Sequence, residues 1–128
     1  MTRCSLSDFT AGYIAAALWA STDDDDTPLD QVYDEYDIDL DCLKQMRADC
    51  LEFFVANEDS ILCDGGPMGN DGSGQATMAG YDFWLTRCCC GAGFWDGDWP
   101  EPHAARLSEA AGAFGNVDLY TFEGKIYC

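Results

Sequence analysis

Eight cysteines, at positions 4, 42, 50, 63, 88, 89, 90 and 128, are the most reactive side chains in this sequence, and His103 is its one histidine. A structural zinc site would need Cys-x-x-Cys pairs, or Cys and His in register, so that four ligands converge tetrahedrally. That spacing is missing, and the adjacent residues Cys88, Cys89 and Cys90 make poor joint ligands. Thiol nucleophilicity would sit best in that triplet, in a turn where neighbouring Arg87 favours the thiolate. Its base would have to be His103, which follows a proline. An even cysteine count in a secreted chain reads as a disulfide framework, yet three consecutive cysteines point different ways and rarely all pair. Cys42, Cys50 and Cys63 fall in or next to a helical pattern, where cysteine behaves as a small buried hydrophobe. Reduced, partly buried thiols are the expectation, with no metal and no cofactor.

The carboxylates offer other chemistry. Asp37, Asp39 and Asp41 match the first three ligand positions of an EF-hand loop, but Cys42 stands where its glycine belongs and Ala48 where its bidentate Glu belongs. A divalent ion among residues 23–26 would be held without specificity. Asp82, Arg87, Asp96 and Asp98 fall on one expected hairpin and could line the pocket of a small enzyme. The plainer reading there is an exposed ion pair of Arg87 with an acid, worth about 0–1 kcal/mol. Trp84, Phe94, Trp95 and Trp99 could stack a nucleobase, but Asp96, Asp98 and Glu101 would repel its phosphates. Core packing suits at least two of these tryptophans better.

Residues 23–41, DDDDTPLDQVYDEYDIDLD, hold ten of the chain's 24 carboxylates and no Lys or Arg. Val32, Tyr33, Tyr36, Ile38 and Leu40 are threaded through the run, whereas a disordered acidic tail would lack such groups. Duplex DNA carries one negative charge per ~1.7 Å of helix axis. A protein presenting carboxylates at comparable density can fill a nucleic-acid channel and exclude the true ligand. The residues expected to contact such a partner are Asp23, Asp24, Asp25, Asp26, Asp30, Asp34, Glu35, Asp37, Asp39 and Asp41, with Tyr33 and Tyr36 as anchors. A formal net charge of −18 excludes direct binding to nucleic acid or anionic lipid and favours a basic partner. A purely solvated acidic face, or a salt-adapted proteome in which Lys is scarce, would give a similar composition.

The elements that must position these groups follow from periodicity. At 128 residues the chain forms a single domain over 1–128, long enough for a real core. A first helix is expected over 7–20, capped by Ser7 and apolar on most sides, hence central. Its segment 11–20 resembles a short signal sequence. Asp8 precedes it, the cleavage site is poor, and ten residues cannot span a bilayer. The expected location is therefore cytoplasmic. Residues 38–40 alternate as an extended piece would. A second helix is expected over 41–55, with Leu43, Met46, Cys50, Phe53 and Phe54 in one stripe. The glycine-rich stretch 64–80 reads as a mobile loop. Residues 81–87 alternate like a strand, with 94–96 as the return strand of a hairpin. Pro100 and Pro102 introduce a third helix carrying Ala104, Leu107, Ala111 and Phe114, with Gly115 as its stop. Residues 117–122 and 125–127 close as a second hairpin. Three helices with two antiparallel β-hairpins make an α+β domain.

The segments DFWLTR at 82–87 and GAGFWDGDW at 91–99 resemble a family of small, acidic, uncharacterised bacteriophage proteins. The resemblance extends over most of the chain: FTAGYIAAALWASTDDDDTPLD at 9–30 and VDLYTFEGKIY at 117–127 are similar to the family's opening helix and closing hairpin. Tyr81 and Cys90 stand where the family carries histidines, and the turn begins Cys88-Cys89, so any histidine-pair chemistry of the family is lost here. The resemblance implies a phage-encoded accessory role in the host cytoplasm and supplies no activity. The expected function is binding without catalysis, as a partial DNA mimic: an anti-CRISPR or other anti-defence inhibitor of a basic, nucleic-acid-binding host protein. A non-inhibitory phage accessory or assembly protein is the alternative, and a small enzyme using 82–98 the third.

Overall fold

Helix α1 (Arg3–Ala20) and helix α3 (Gln75–Cys88) meet backbone to backbone, and two glycines make this possible. A Cβ on Gly12 would collide with the carbonyl oxygen of Thr77, and one on Gly80 with that of Phe9. Ala16, Ala76 and Ala79 are buried as well, so the two helices present narrow faces to each other. The computed structural model describes residues 3–23, 25–63, 74–88, 93–95 and 99–128.

Helix α2 (Leu40–Ile61) packs on this pair through Phe53. Its ring stacks on Phe83 of α3 at 4.1 Å between centroids and lies 5.8 Å from Phe9 of α1. Close aromatic pairs of this kind add about 0.5–1.5 kcal/mol each beyond the area they bury. Asn57 leaves helical geometry at φ −126°, and its amide donates to the Phe53 carbonyl at 2.9 Å. A side chain bonded to the carbonyl four residues back accounts for the kink there. Helix α4 (His103–Gly112) lies against α2 with Ala104, Leu107 and Ala111 buried. Strands β1 (Tyr120–Phe122) and β2 (Lys125–Tyr127) form an antiparallel pair in which Thr121 faces Ile126. Ile38 bridges to Ile126, and the Asp39 N–H donates to the Ile126 carbonyl at 2.8 Å, which ties the end of the acidic run to this pair. A disulfide joins Cys42 to Cys128 across 86 residues of sequence.

The molecule is mostly helical, and the α+β expectation of three helices with two hairpins is overturned. Residues 81–87 belong to α3, not to a strand. Its buried positions Ala76, Ala79, Gly80, Phe83, Trp84 and Arg87 recur at helical spacing, and that stripe begins inside the stretch taken for a loop. Gln75 to Gly80, expected to be mobile, are therefore helical; positions 64–73 lie outside the described residues. Phe94 and Trp95 sit in a turn, not in a return strand, while Asp96 lies outside the described residues. Within α1, Ser7 and Asp8 are internal, because the helix already runs from Arg3, so Ser7 is not its cap. The extended reading of residues 38–40 also fails at Leu40, which begins α2 and is exposed. Helix α4 stops three residues before Gly115, which instead takes a left-handed φ of +80°.

The cysteines depart from expectation too. Cys42, Cys128 and Cys88 are all disulfide-bonded, so reduced thiols do not describe them. Cys50 is a buried free thiol. Cys89 and Cys90 lie outside the described residues. Among the described residues, no helix is long and apolar enough to cross a membrane.

Candidate functional site

The acidic run folds as two 3₁₀ turns, Leu29–Gln31 and Glu35–Asp37, between α1 and α2. Buried Leu29 and Ile38 pin it to the core, and half-buried Tyr33 packs against that core. Tyr36 is 86% exposed, so of the two tyrosines Tyr33 alone packs on the core. Several of the acids are occupied by the backbone. The Asp23 carboxylate accepts from the Asp25 and Thr27 N–H groups at 2.8 and 3.0 Å. Asp34 and Asp37 form a reciprocal capping box around the second turn. Asp39 caps α2 by accepting from the Asp41 N–H at 3.1 Å. A carboxylate at an N-cap satisfies an orphan donor and meets the positive end of the helix dipole. Repetition of Asp at short spacing thus fixes the local geometry as well as the charge. Asp25, Asp26, Asp30, Glu35 and Asp41 are exposed, and Asp24 lies outside the described residues. Among the described residues, no group of three or more His, Cys, Asp or Glu is arranged to hold a metal ion.

Beside this run opens a cleft of about 580 Å³. One wall is the Met78, Tyr81, Asp82 and Leu85 stripe of α3, at i, i+3, i+4 and i+7. Ala15, Leu18 and Trp19 of α1 form the second wall at i, i+3 and i+4, and Asp30, Tyr33 and Asp34 close the third side. Trp19 is 59% exposed although it ends the most apolar helix of the chain. Asp82 is buried and accepts from the Trp99 indole N–H at 2.7 Å. Both stripes were open to a helical reading of the sequence. The strand assignment for 81–87 hid the one on α3.

Arg87 and Asp82 do not share a site. Arg87 is buried, and its Nη1 donates to Asp49 Oδ2 and to the Tyr13 hydroxyl, both at 2.9 Å. Its Nε donates to the Gly115 carbonyl at 3.0 Å, and its guanidinium lies over the Phe83 and Phe114 rings at 5.5 and 5.6 Å. Among the described residues this arginine pairs with Asp49, in a largely buried contact that joins α2 to α3. Among the described residues Asp82 and Arg87 stand on helix α3, not on a hairpin, and Asp96 and Asp98 lie outside the described residues. Trp84 and Trp99 are buried while Trp95 is half exposed, which leaves no run of stacked bases a platform among the described residues.

Sequence reasoning also missed Ser60, which is buried after the α2 kink. Its Oγ lies 3.0 Å from His103 Nδ1 and receives a longer bond from Arg106 at 3.4 Å. This contact latches α4 onto α2. Burial drives the Tyr13 hydroxyl well above its ordinary pKa and the Cys50 thiol up to about 12, so neither is a nucleophile near neutral pH.

No family model matches the chain, and neither the curated proteins nor the solved structures give a match to it.

Proposed function

We propose that this protein is a phage-encoded acidic inhibitor, a partial DNA mimic that binds a basic nucleic-acid-binding protein of the host cytoplasm, such as a CRISPR effector or another defence enzyme. One observation carries the proposal. The acidic run has a fixed backbone, pinned by Leu29 and Ile38 and capped by its own carboxylates, while Asp25, Asp26, Asp30, Glu35 and Asp41 face solvent. Preordered charge avoids the ordering cost that a floppy acidic tail bears on binding. It also attracts a basic cleft over a Debye length of about 8 Å at physiological salt. The protein acts by occupying its partner, without catalysis.

Charge reversal at Asp25, Glu35 and Asp41, which line neither the cleft nor the core, tests this directly. The triple Lys variant should keep its circular dichroism spectrum and lose salt-sensitive binding to the basic enzyme captured by the wild-type chain. Equal binding by both proteins would remove the mimic reading. The proposed location adds a second demand, because cytoplasmic thiol buffers reduce most disulfides. The helical signal must therefore survive dithiothreitol.

A non-inhibitory accessory or assembly protein is the second reading, favoured by the exposed apolar side chains Val32, Leu40, Val55, Tyr120 and Phe122. It predicts a concentration-dependent rise in sedimentation coefficient that salt strengthens. The inhibitor predicts a monomer throughout.

A further inference from the structure

We infer that the cleft between α1, α3 and the acidic run is a seat for one arginine side chain of the partner, an anchor around which the carboxylate face docks. This inference rests on the inhibitor reading, which supplies a protein partner rich in exposed basic residues.

Three kinds of lining residue match three parts of that side chain. Leu18, Met78 and Leu85 offer apolar surface to a methylene stem, which long basic side chains bury readily. Trp19, Tyr33 and Tyr81 offer aromatic faces, against which a guanidinium stacks through cation–π attraction. Asp30 and Asp34 line the cleft and are exposed, and carboxylates accept the forked N–H donors of arginine in short, charge-assisted bonds. A purely apolar occupant would strip water from these acids without replacing its hydrogen bonds, and a phosphate would be repelled. Lysine fits less well, because its ammonium is more strongly hydrated and lacks a planar face. At about 580 Å³ the cleft admits a long side chain together with part of its flanking backbone. The folded chain leaves Trp19 59% exposed, and a bound arginine would cover it.

Hepta-arginine and hepta-lysine peptides, titrated into ¹⁵N-labelled protein, separate this seat from general attraction to acid. The indole N–H of Trp19, assigned with Trp19→Phe, reports occupancy. Hepta-arginine should shift it saturably, with an affinity at least fivefold above that of hepta-lysine. Ala15→Trp, which fills the cleft, should abolish the shift, and Asp30→Asn should weaken binding several-fold while leaving the remaining amide spectrum in place. Shifts confined to the amides of Asp25, Asp26 and Glu35, equal affinities for the two peptides, or an unaltered Trp19 response in Ala15→Trp would each overturn the seat. The two proposals fail separately. A basic partner that binds wild type and Ala15→Trp equally, yet not the Asp25, Glu35, Asp41 charge reversal, overturns the seat alone. Saturable arginine binding at Trp19, with partner binding indifferent to the charge reversal, removes the mimic and leaves the seat.

Discussion

At the scale of the residue, the buried Arg87–Asp49 pair is the most exposed to mutation. Asp49→Ala removes one acceptor of a buried guanidinium, and breaking such a pair costs about 3 kcal/mol. Urea unfolding should show that loss. The double change Asp49→Leu with Arg87→Met should recover only part of it, because the Tyr13 hydroxyl and the Gly115 carbonyl lose their Arg87 donor. Cys50 gives a pH signature. Burial moves its thiol from 9.0 up to about 12, so the folded chain keeps a proton that the unfolded chain has released. Stability is complete below pH 9 and falls as pH rises above it, by about 1.4 kcal/mol per unit for one proton. Tyr13, raised by burial from 10.0, adds to the fall only above pH 10. Cys50→Ala should therefore flatten the slope between pH 9 and 10 in urea titrations, whatever it does to absolute stability.

At the scale of the element, the crossing of α1 and α3 rests on glycine. Gly80→Ala would drive a methyl group into the Phe9 carbonyl, and Gly12→Ala would do the same at Thr77. Overpacking against backbone, which cannot rotate aside, should cost at least ~2 kcal/mol in either variant. Gly112→Ala at the end of α4 is the control: its Cβ meets nothing within 4 Å, and a helical Gly replaced by Ala should gain about 0.5 kcal/mol. Opposite signs in thermal unfolding would establish close approach, not helix propensity, as the cause. The strand-like pattern at 81–87 has a local cause. Phe83 and Leu85 against Trp84 and Thr86 satisfy strand alternation over a short window. Extending the window back to Ala76 exposes the helical period, but its small residues carry too little hydrophobicity to announce themselves.

At the scale of the whole molecule, the Cys42–Cys128 disulfide ties the C-terminal strand pair to the start of α2, just beyond the acidic run. Closing 86 residues of chain restricts the unfolded ensemble by about 4.6 kcal/mol in the chain-entropy account. Cys128→Ser should lower the midpoint of thermal unfolding, and reductant should lower that of wild type at least as far, because it also opens the bond made by Cys88. The Ile38–Ile126 bridge lies at the same corner, so loosening that corner should weaken the partner binding proposed for the acidic run before it melts α1 and α3.

The sequence by itself determined the charge, the acidic surface, the central apolar α1 and most of the α2 and α4 stripes. Each of these depends on composition or on a period carried by large side chains. Tertiary structure decided that residues 81–87 are helical, because the compatibility of Gly12 and Gly80 exists only where two backbones meet. It also decided the Arg87 pairing with Asp49, the Cys42–Cys128 bond and the cleft beside Trp19. Those features join positions far apart along the chain, and local periodicity contains no distance between them.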